Sequence, residues 1–160
     1  MINEFRGKYY FLSNFYEVPV IYENITYQNN EAAFQSAKVT DHNQRLSFSH
    51  LNPSQAKSKG RHVQLRHDWD FIKEEIMYEI CKAKFIQNDD LRLKLIATGD
   101  EHLEEGNTWG DKIWGTVNSK GQNKLGKILM RVRDELKSNR RCLLCGNLRK
   151  ELILYEDMYR

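Results

Sequence analysis

The sequence predicts a mostly helical α+β fold, a single domain with a small β-hairpin. Aromatic and β-branched residues cluster before residue 28, and apolar residues recur at helical spacing after it. No strand–helix–strand series alternates along the chain, which argues against a parallel doubly wound sheet. At 160 residues, with 40% hydrophobic and 29% charged residues, the chain has the size and composition of a globular domain with its own core.

The composition also limits the compartment and the partners. The N-terminus lacks the apolar run of a signal peptide, and no window approaches the roughly 18 apolar residues of a spanning helix. Three cysteines give no disulfide framework and fit a reducing compartment. We therefore expect a cytoplasmic protein with no membrane partner. A net charge of +3 permits anionic ligands without requiring nucleic acid.

The N-terminal part of the chain predicts strands. Residues 9–12 and 18–27 are rich in aromatic and β-branched types, which favour short strands. The pair Glu23-Asn24 interrupts the second run and is typical of the turn of a hairpin.

Capping signals and apolar spacing predict the remaining elements. Asn29 or Asn30 can cap a first helix, and Asn52-Pro53 is typical of the start of a second. The predicted helices cover residues 29–39, 53–60, 70–87, 89–97 and 123–137, and a short strand is predicted over 113–117.

The stretch from Leu103 to Val132 is the most informative. Two Trp-Gly pairs, Trp109-Gly110 and Trp114-Gly115, bracket the single acid Asp111. Tryptophan is seldom fully buried, and the adjacent glycines let backbone or ligand approach closely. The pattern suggests a pocket that stacks a flat ring beside a carboxylate. A Gly-x-Asn turn follows and leads into the last predicted helix.

A second polar group lies on the first predicted helix. Glu31, Gln35 and Lys38 are spaced i, i+4 and i+7 and share one face. The commonest fate of such residues is a solvated surface. However, Phe34 shares the stripe and an aromatic-rich hairpin precedes it, so the alternative is a cleft lined by a carboxylate, an amide and an amine.

Seven motifs in order make the chain resemble the NADAR family, the YbiA-like N-glycosidases. The matching segments are Phe11-Leu-Ser-Asn-Phe15, Glu31-Ala-Ala-Phe-Gln-Ser-Ala-Lys38, Leu65-Arg-His-Asp-Trp69, Ala83-Lys-Phe85, Ala97-Thr-Gly-Asp100, Glu105-Gly-Asn107 to Trp114-Gly115, and Asn123-Lys-Leu-Gly126 to Arg133. Together they span roughly residues 5 to 137. The resemblance implies an α+β fold of that type and an enzyme that hydrolyses N-glycosyl bonds.

The resemblance implies two substrate classes: ribosylamino-pyrimidine phosphates at the start of riboflavin synthesis, and ADP-ribose attached to guanine in nucleic acid. Both join ribose to an exocyclic amine of a flat ring. It implies water as co-substrate, no cofactor, and a partner that contains phosphorylated ribose or ADP-ribose, with ADP-ribosylated DNA as one form. The alternatives are a binding module for ADP-ribose that does not turn it over and, from two cysteines alone, a zinc-dependent nucleic-acid protein.

Matching positions suggest roles for twelve residues. Glu31 and Asp111 are candidate carboxylates for base or cation-stabilising work, and Lys38 is the candidate amine for a Schiff base. Arg66 is the candidate phosphate ligand, with a contact to Asp68 as the alternative. The candidates for stacking, ring contacts and backbone shaping are Asn14, Phe15, Gln35, Trp69, Trp109, Trp114, Gly115 and Asn123, of which at least one tryptophan is expected in the core.

The last 20 residues depart from the family pattern. We expect a NADAR domain over 1–138 and an extension over 139–160 with a final helix. Cys142 and Cys145 resemble half of a zinc site, but a structural zinc needs four ligands, so we expect no metal and two buried residues in a turn. The basic residues of 137–150 favour a solvated face over a nucleic-acid contact. The sequence leaves the oligomeric state open.

Overall fold

The computed structural model describes residues 1–144, with side chains through Asn139. The α+β prediction is confirmed: helices predominate, and the described residues contain one two-stranded antiparallel sheet. The elements in chain order are a 3-10 helix (Gly7–Leu12), strands β1 (Glu17–Tyr22) and β2 (Ile25–Asn29), and helices α1 (Asn30–Ser36), α2 (His42–Leu46), α3 (Pro53–Gly60), α4 (Trp69–Gln87), α5 (Asp89–Ala97) and α6 (Lys124–Leu144).

The chain forms two compact units. The hairpin unit is Phe5–Lys84, and the α6 unit is Met1–Glu4 together with the chain from Phe85 onward. In the hairpin unit, β1 and β2 pair antiparallel and are joined at Glu23 and Asn24, which both have positive φ (47° and 67°). Two consecutive left-handed residues match the twist of a hairpin, so this predicted turn is confirmed.

The predicted strand at 9–12 is wrong, because these residues lie in the 3-10 helix. Lys84 explains the difference. Its Nζ donates to the backbone oxygen of Phe11 at 2.6 Å and to that of Ser13 at 3.0 Å. In an extended strand the oxygens of residues two apart lie roughly 6.6 Å from each other, too far for one amine to bond both, so this contact is incompatible with the strand that the local aromatics favour.

The helices agree with prediction except at their ends. The predicted α3 is confirmed with a full capping box between Asn52 and Gln55. Helix α1 ends at Ser36 rather than 39, and α6 continues beyond 137 to Leu144. Helix α2 was not predicted. The predicted strand at 113–117 forms only isolated bridges, at Thr116 and Val117.

In the α6 unit the last helix presents an apolar stripe and one buried cation. Arg133 is buried, and its guanidinium donates to Thr98 Oγ1 at 3.0 Å and to the backbone oxygen of Glu101 at 2.8 Å. Ile2 bridges to Leu103 and ties the N-terminal residues to this unit. The buried apolar residues of α6 are Leu125, Leu129, Val132 and Leu136.

None of the helices within the described range is long and apolar enough to cross a membrane. In the predicted extension, residues 139–144 continue α6. The side chain of Cys142, together with Cys145 and the predicted final helix, lies outside the described residues.

Lys84 generates a prediction about stability and pH. Burial lowers the pKa of this amine to about 7. Between pH 7 and 10 the unfolded chain therefore binds more protons at this site than the folded chain, so this group makes the free energy of unfolding rise with pH. Lys84→Met should reduce that slope by up to about 1.4 kcal/mol per pH unit in urea titrations at several pH values. Lys73→Met, which removes an amine bonded to the exposed Asp70, is the matched control. Equal slopes in wild type and Lys84→Met would contradict the prediction.

Candidate active site

Helix α1 places Glu31 and Gln35 inside the hairpin unit. Asn29 caps the helix by accepting from the backbone N–H of Ala32 at 2.7 Å, and Glu31 lies in the first turn, where a helix favours negative charge. Glu31 is only 8% exposed and Gln35 only 6%. Gln35 Nε2 donates to Glu31 Oε1 at 2.8 Å. The solvated-surface alternative for these two residues is therefore wrong.

Lys38 lies in the turn after α1, not on the helix itself. The helix ends at Ser36, and the backbone N–H of Lys38 bonds the oxygen of Gln35 at 3.2 Å in a tightened turn. The prediction that Lys38 shares a helix face with Glu31 and Gln35 is therefore wrong, because Lys38 lies beyond the end of the helix. The amine is half-buried and donates to the backbone oxygen of Gly60 at 3.4 Å.

The charge on Lys38 is set by its surroundings. Burial lowers the pKa of its amine from the usual value, the Glu31 carboxylate raises it, and the Arg61 guanidinium lowers it. Since burial is the largest of these effects, the amine loses its proton more readily than a surface lysine. A lysine in this state is suited to nucleophilic work.

Asn14 supports the start of α1 rather than presenting a free amide. Its backbone oxygen accepts from the N–H of Glu31 at 3.1 Å. Its side chain accepts from Asn30 Nδ2 and donates to Met77 Sδ, both at 3.3 Å. The predicted ring-contact residue Asn14 is thus buried and fixes the chain beside Phe15.

The aromatic residues of the hairpin unit divide between core and rim. Trp69 is 7% exposed and its ring lies 5.1 Å from that of Phe34, so this tryptophan packs in the core. Phe15 is half-buried, and the Lys57 ammonium lies 5.8 Å from its ring centroid. Phe15 is therefore the better placed of the two to meet a ligand.

Arg66 forms an ion pair with Asp68, the contact that the sequence analysis gave as the alternative to binding phosphate. Its guanidinium bonds Asp68 through two nitrogens, at 2.7 and 3.2 Å, and this lowers the pKa of the Asp68 carboxyl. Its backbone N–H bonds the oxygen of Lys38 at 2.9 Å. The Asp68 carboxylate takes two of the guanidinium's five N–H donors, so a phosphate at Arg66 would compete with it or use the remaining donors.

The α6 unit holds the other predicted residues in one loop. Asp111 Oδ1 accepts from the backbone N–H groups of Ile113 and Trp114, both at 3.0 Å, and this turns the chain between the two tryptophans. Asn107 braces the same loop by bonding both backbone groups of Asp111. Trp109 is 55% exposed and Trp114 is half-buried. One oxygen of the candidate carboxylate thus has a structural role.

Gly115 and Asn123 shape the backbone of this loop. A Cβ at Gly115 would lie 2.8 Å from Asn107 Nδ2 and closer still to the oxygen of Glu105. Asn123 is buried with positive φ. Its amide donates to the oxygen of Leu103 at 2.9 Å and accepts from the N–H of Glu105 at 3.0 Å. Both amide groups of Asn123 therefore serve the protein backbone.

Sequence reasoning missed Lys84 as a residue of interest. It is 1% exposed, and besides bonding the segment before Asn14 it lies 5.5 Å from the ring centroid of Tyr16. A usable signal was present, because Ile76, Ile80 and Lys84 are spaced four apart on the buried stripe of α4. In the described part of the chain, no group of three or more His, Cys, Asp or Glu could hold a metal ion.

The family is shown by a family model, by two related proteins and by one solved structure. The model of the NADAR domain family matches residues 3–137. The N-glycosidase YbiA of Escherichia coli is 35% identical over 131 residues, covering 78% of this chain and 79% of that protein. A riboflavin biosynthesis protein of Vibrio vulnificus is 37% identical over 135 residues, 81% of this chain but 36% of that protein. The NMR structure of E. coli YbiA superposes with a TM-score of 0.76 at 31% identity, covering 88% of this chain and 89% of that one.

The Asn123 amide yields a prediction for the α6 unit. Asn123→Ala removes one buried and one partly buried hydrogen bond and leaves the oxygen of Leu103 and the N–H of Glu105 without this partner. The free energy of unfolding should fall by about 2–3 kcal/mol in urea titration. Gln122→Ala, at the exposed neighbouring position, is the control. A loss as small as that of Gln122→Ala would show that the amide does not hold the loop.

Proposed function

Because the chain belongs to the NADAR family, we propose that it hydrolyses the bond between a phosphorylated ribose and the exocyclic amine of a flat base. The enzyme class, hydrolases of N-glycosyl bonds, is the one for which its curated relatives are named. The observation that best supports the finer proposal is that the buried Glu31 carboxylate lies near enough to the half-buried amine of Lys38 to act on its charge.

Lys38 acts as the nucleophile. A ribose on an exocyclic amine opens to an iminium at its anomeric carbon. The neutral amine of Lys38 adds to that carbon, the base leaves as its free amine after taking up a proton, and a Schiff base to Lys38 remains. Water then adds to the Schiff base and releases the sugar, which restores the amine. The net reaction consumes one water and yields the base and the ribose phosphate.

Glu31 acts on the charge and the protons of this sequence. Its carboxylate stabilises the cationic anomeric carbon and accepts the proton of the attacking water. Gln35 supports it, because the amide N–H fixes one carboxylate oxygen at 2.8 Å. Burial lowers the pKa of Lys38 more than the Glu31 carboxylate raises it, so the net shift favours the neutral amine.

The remaining candidates are proposed to bind the substrate or to shape the backbone around it. In the hairpin unit Phe15 offers an aromatic face to a ring, whereas Trp69 supports Phe34 from the core. In the α6 unit Trp109 and Trp114 are the candidates for stacking. Asp111 is proposed as the second carboxylate, acting through the oxygen that does not hold the loop. Asn14, Gly115 and Asn123 act through the backbone that they fix. Arg66 receives phosphate by exchange with Asp68.

Ribosylamino-pyrimidine phosphate is the first substrate to test. The relative named as a riboflavin biosynthesis protein favours it. ADP-ribosyl-guanine in DNA is the second, since it presents the same ribose–amine linkage and the exposed ring of Trp109 offers a surface on which a base of a polymer can stack. The competing class is a module that binds ADP-ribose without turnover.

Removal of the two central groups should abolish turnover. Glu31→Ala and Lys38→Ala should each lower kcat by at least roughly a hundredfold, because each removes a group that acts on the reacting carbon. The measurement is release of free base from both substrates, side by side. Glu75→Ala and Lys73→Ala remove a carboxylate and an amine from α4 and should leave the rate unchanged. Tight binding of ADP-ribose without turnover of either substrate would contradict the proposal and favour a binding module that does not cleave its ligand.

The Schiff base should be trappable and its formation should depend on pH. Borohydride added during turnover should leave a sugar adduct on Lys38 in the wild type and none in Lys38→Arg, which keeps the positive charge but cannot form the bond. Because the pKa of Lys38 is lowered, the rate should rise with pH and level off below pH 10.5. An active enzyme with no adduct would exclude the lysine route and leave Glu31 with water as the alternative.

A further inference from the structure

Gly60 occupies a position where neither backbone conformation nor helix propensity calls for glycine. It is the last residue of α3 and is not among the glycines with positive φ. Alanine is the better helix former, by about 1 kcal/mol in a helix interior. The reason for glycine is therefore sought in its neighbours.

The space beside Gly60 is filled by the amide of Gln35. A Cβ at Gly60 would lie 2.6 Å from Gln35 Cδ and closer still to Gln35 Oε1. Gln35 Oε1 is buried and has no hydrogen-bond partner among the described residues. The oxygen side of the amide is thus held by packing against Gly60, while the nitrogen side bonds Glu31 at 2.8 Å.

Gly60 also contacts the other central group. Its backbone oxygen accepts from Lys38 Nζ at 3.4 Å. One residue of α3 therefore touches both the amide that holds the Glu31 carboxylate and the amine of Lys38. We propose that Gly60 is a positioning residue that sets the Glu31 carboxylate relative to the Lys38 amine through Gln35, an inference that rests on the proposed function of those two groups.

The side chain of Gln35 is the part that would yield to a larger residue. In Gly60→Ala the new methyl group overlaps the end of a flexible side chain, so we expect the fold to persist while the amide moves and its bond to Glu31 is lost. A displacement of about 1 Å at reacting groups can cost roughly a hundredfold in rate. The change should appear in kcat rather than in KM, since substrate contacts are unaltered.

The experiment is a double-mutant cycle. Gly60→Ala, Gln35→Ala and the double variant are compared with wild type in kcat, with Ser58→Ala, an exposed position on the same helix, as control. If Gly60 acts through Gln35, Gly60→Ala should lower kcat in the wild type but have no further effect in Gln35→Ala. Equal effects in both backgrounds would overturn the proposal. Thermal melting confirms that each variant is folded.

A second readout does not require turnover, so failure of the proposed function can be told apart from failure of this inference. Reductive methylation of Lys38 by formaldehyde and cyanoborohydride, followed by mass spectrometry across pH, reports the proton on that amine. Glu31 and Arg61 are the charged groups that act on it. In Gly60→Ala the carboxylate released from Gln35 should pair more closely with the ammonium and move the midpoint to higher pH. An unchanged midpoint in a folded Gly60→Ala variant would overturn the proposal even if neither substrate is cleaved.

Discussion

The hairpin unit depends on the burial of one amine. Lys84 bonds the oxygens of Phe11 and Ser13, and the next residue, Asn14, gives its own oxygen to the N–H of Glu31. The position of the candidate carboxylate is therefore linked, through the backbone oxygens of residues 11, 13 and 14, to a lysine on α4. Burying an amine is unfavourable unless its hydrogens are satisfied, and the two carbonyls satisfy them.

Polar side chains inside this unit bond each other in a short series. Asn30 bonds Asn14, Gln35 bonds Glu31, and Ser36 bonds the hydroxyl of Tyr27 at 2.8 Å. Such a series fixes rotamers as well as backbone, because a displaced member leaves its neighbour buried without a partner. Two oxygens of this series, Asn30 Oδ1 and Gln35 Oε1, are buried without a hydrogen-bond partner among the described residues, and the second belongs to the amide that bonds Glu31.

Local chemistry allowed much of the fold to be predicted from sequence. The hairpin turn followed from Glu23-Asn24, because asparagine tolerates the left-handed conformation that the turn needs, and α3 followed from Asn52-Pro53. The prediction failed where a distant residue decides the conformation. The aromatics at 9–12 favour a strand on their own, but they lie in a 3-10 helix whose Phe11 oxygen bonds Lys84, more than seventy positions away.

The candidate site was predictable in its residue types and less so in its geometry. Spacing placed Glu31 and Gln35 on one face, but burial and the end of α1 before Lys38 depend on packing with α3 that no local pattern reports. Arg66 was predicted with the right alternative, since an aspartate two positions away lies within reach of its fork. The burial of Lys84 could have been predicted only by assuming that a lysine on an apolar stripe is buried and hydrogen-bonded rather than exposed.

The length of α6 has a consequence for where the described chain ends. The match to the family ends at residue 137, where the Lys137 amine bonds Asp100 and the backbone oxygen of Gly99. The helix runs on for seven further residues to Leu144, and at 1.5 Å per residue these add about 10 Å of rod. The helical backbone at Leu144 thus lies about 10 Å along the axis beyond Lys137, past the residues that the family model matches.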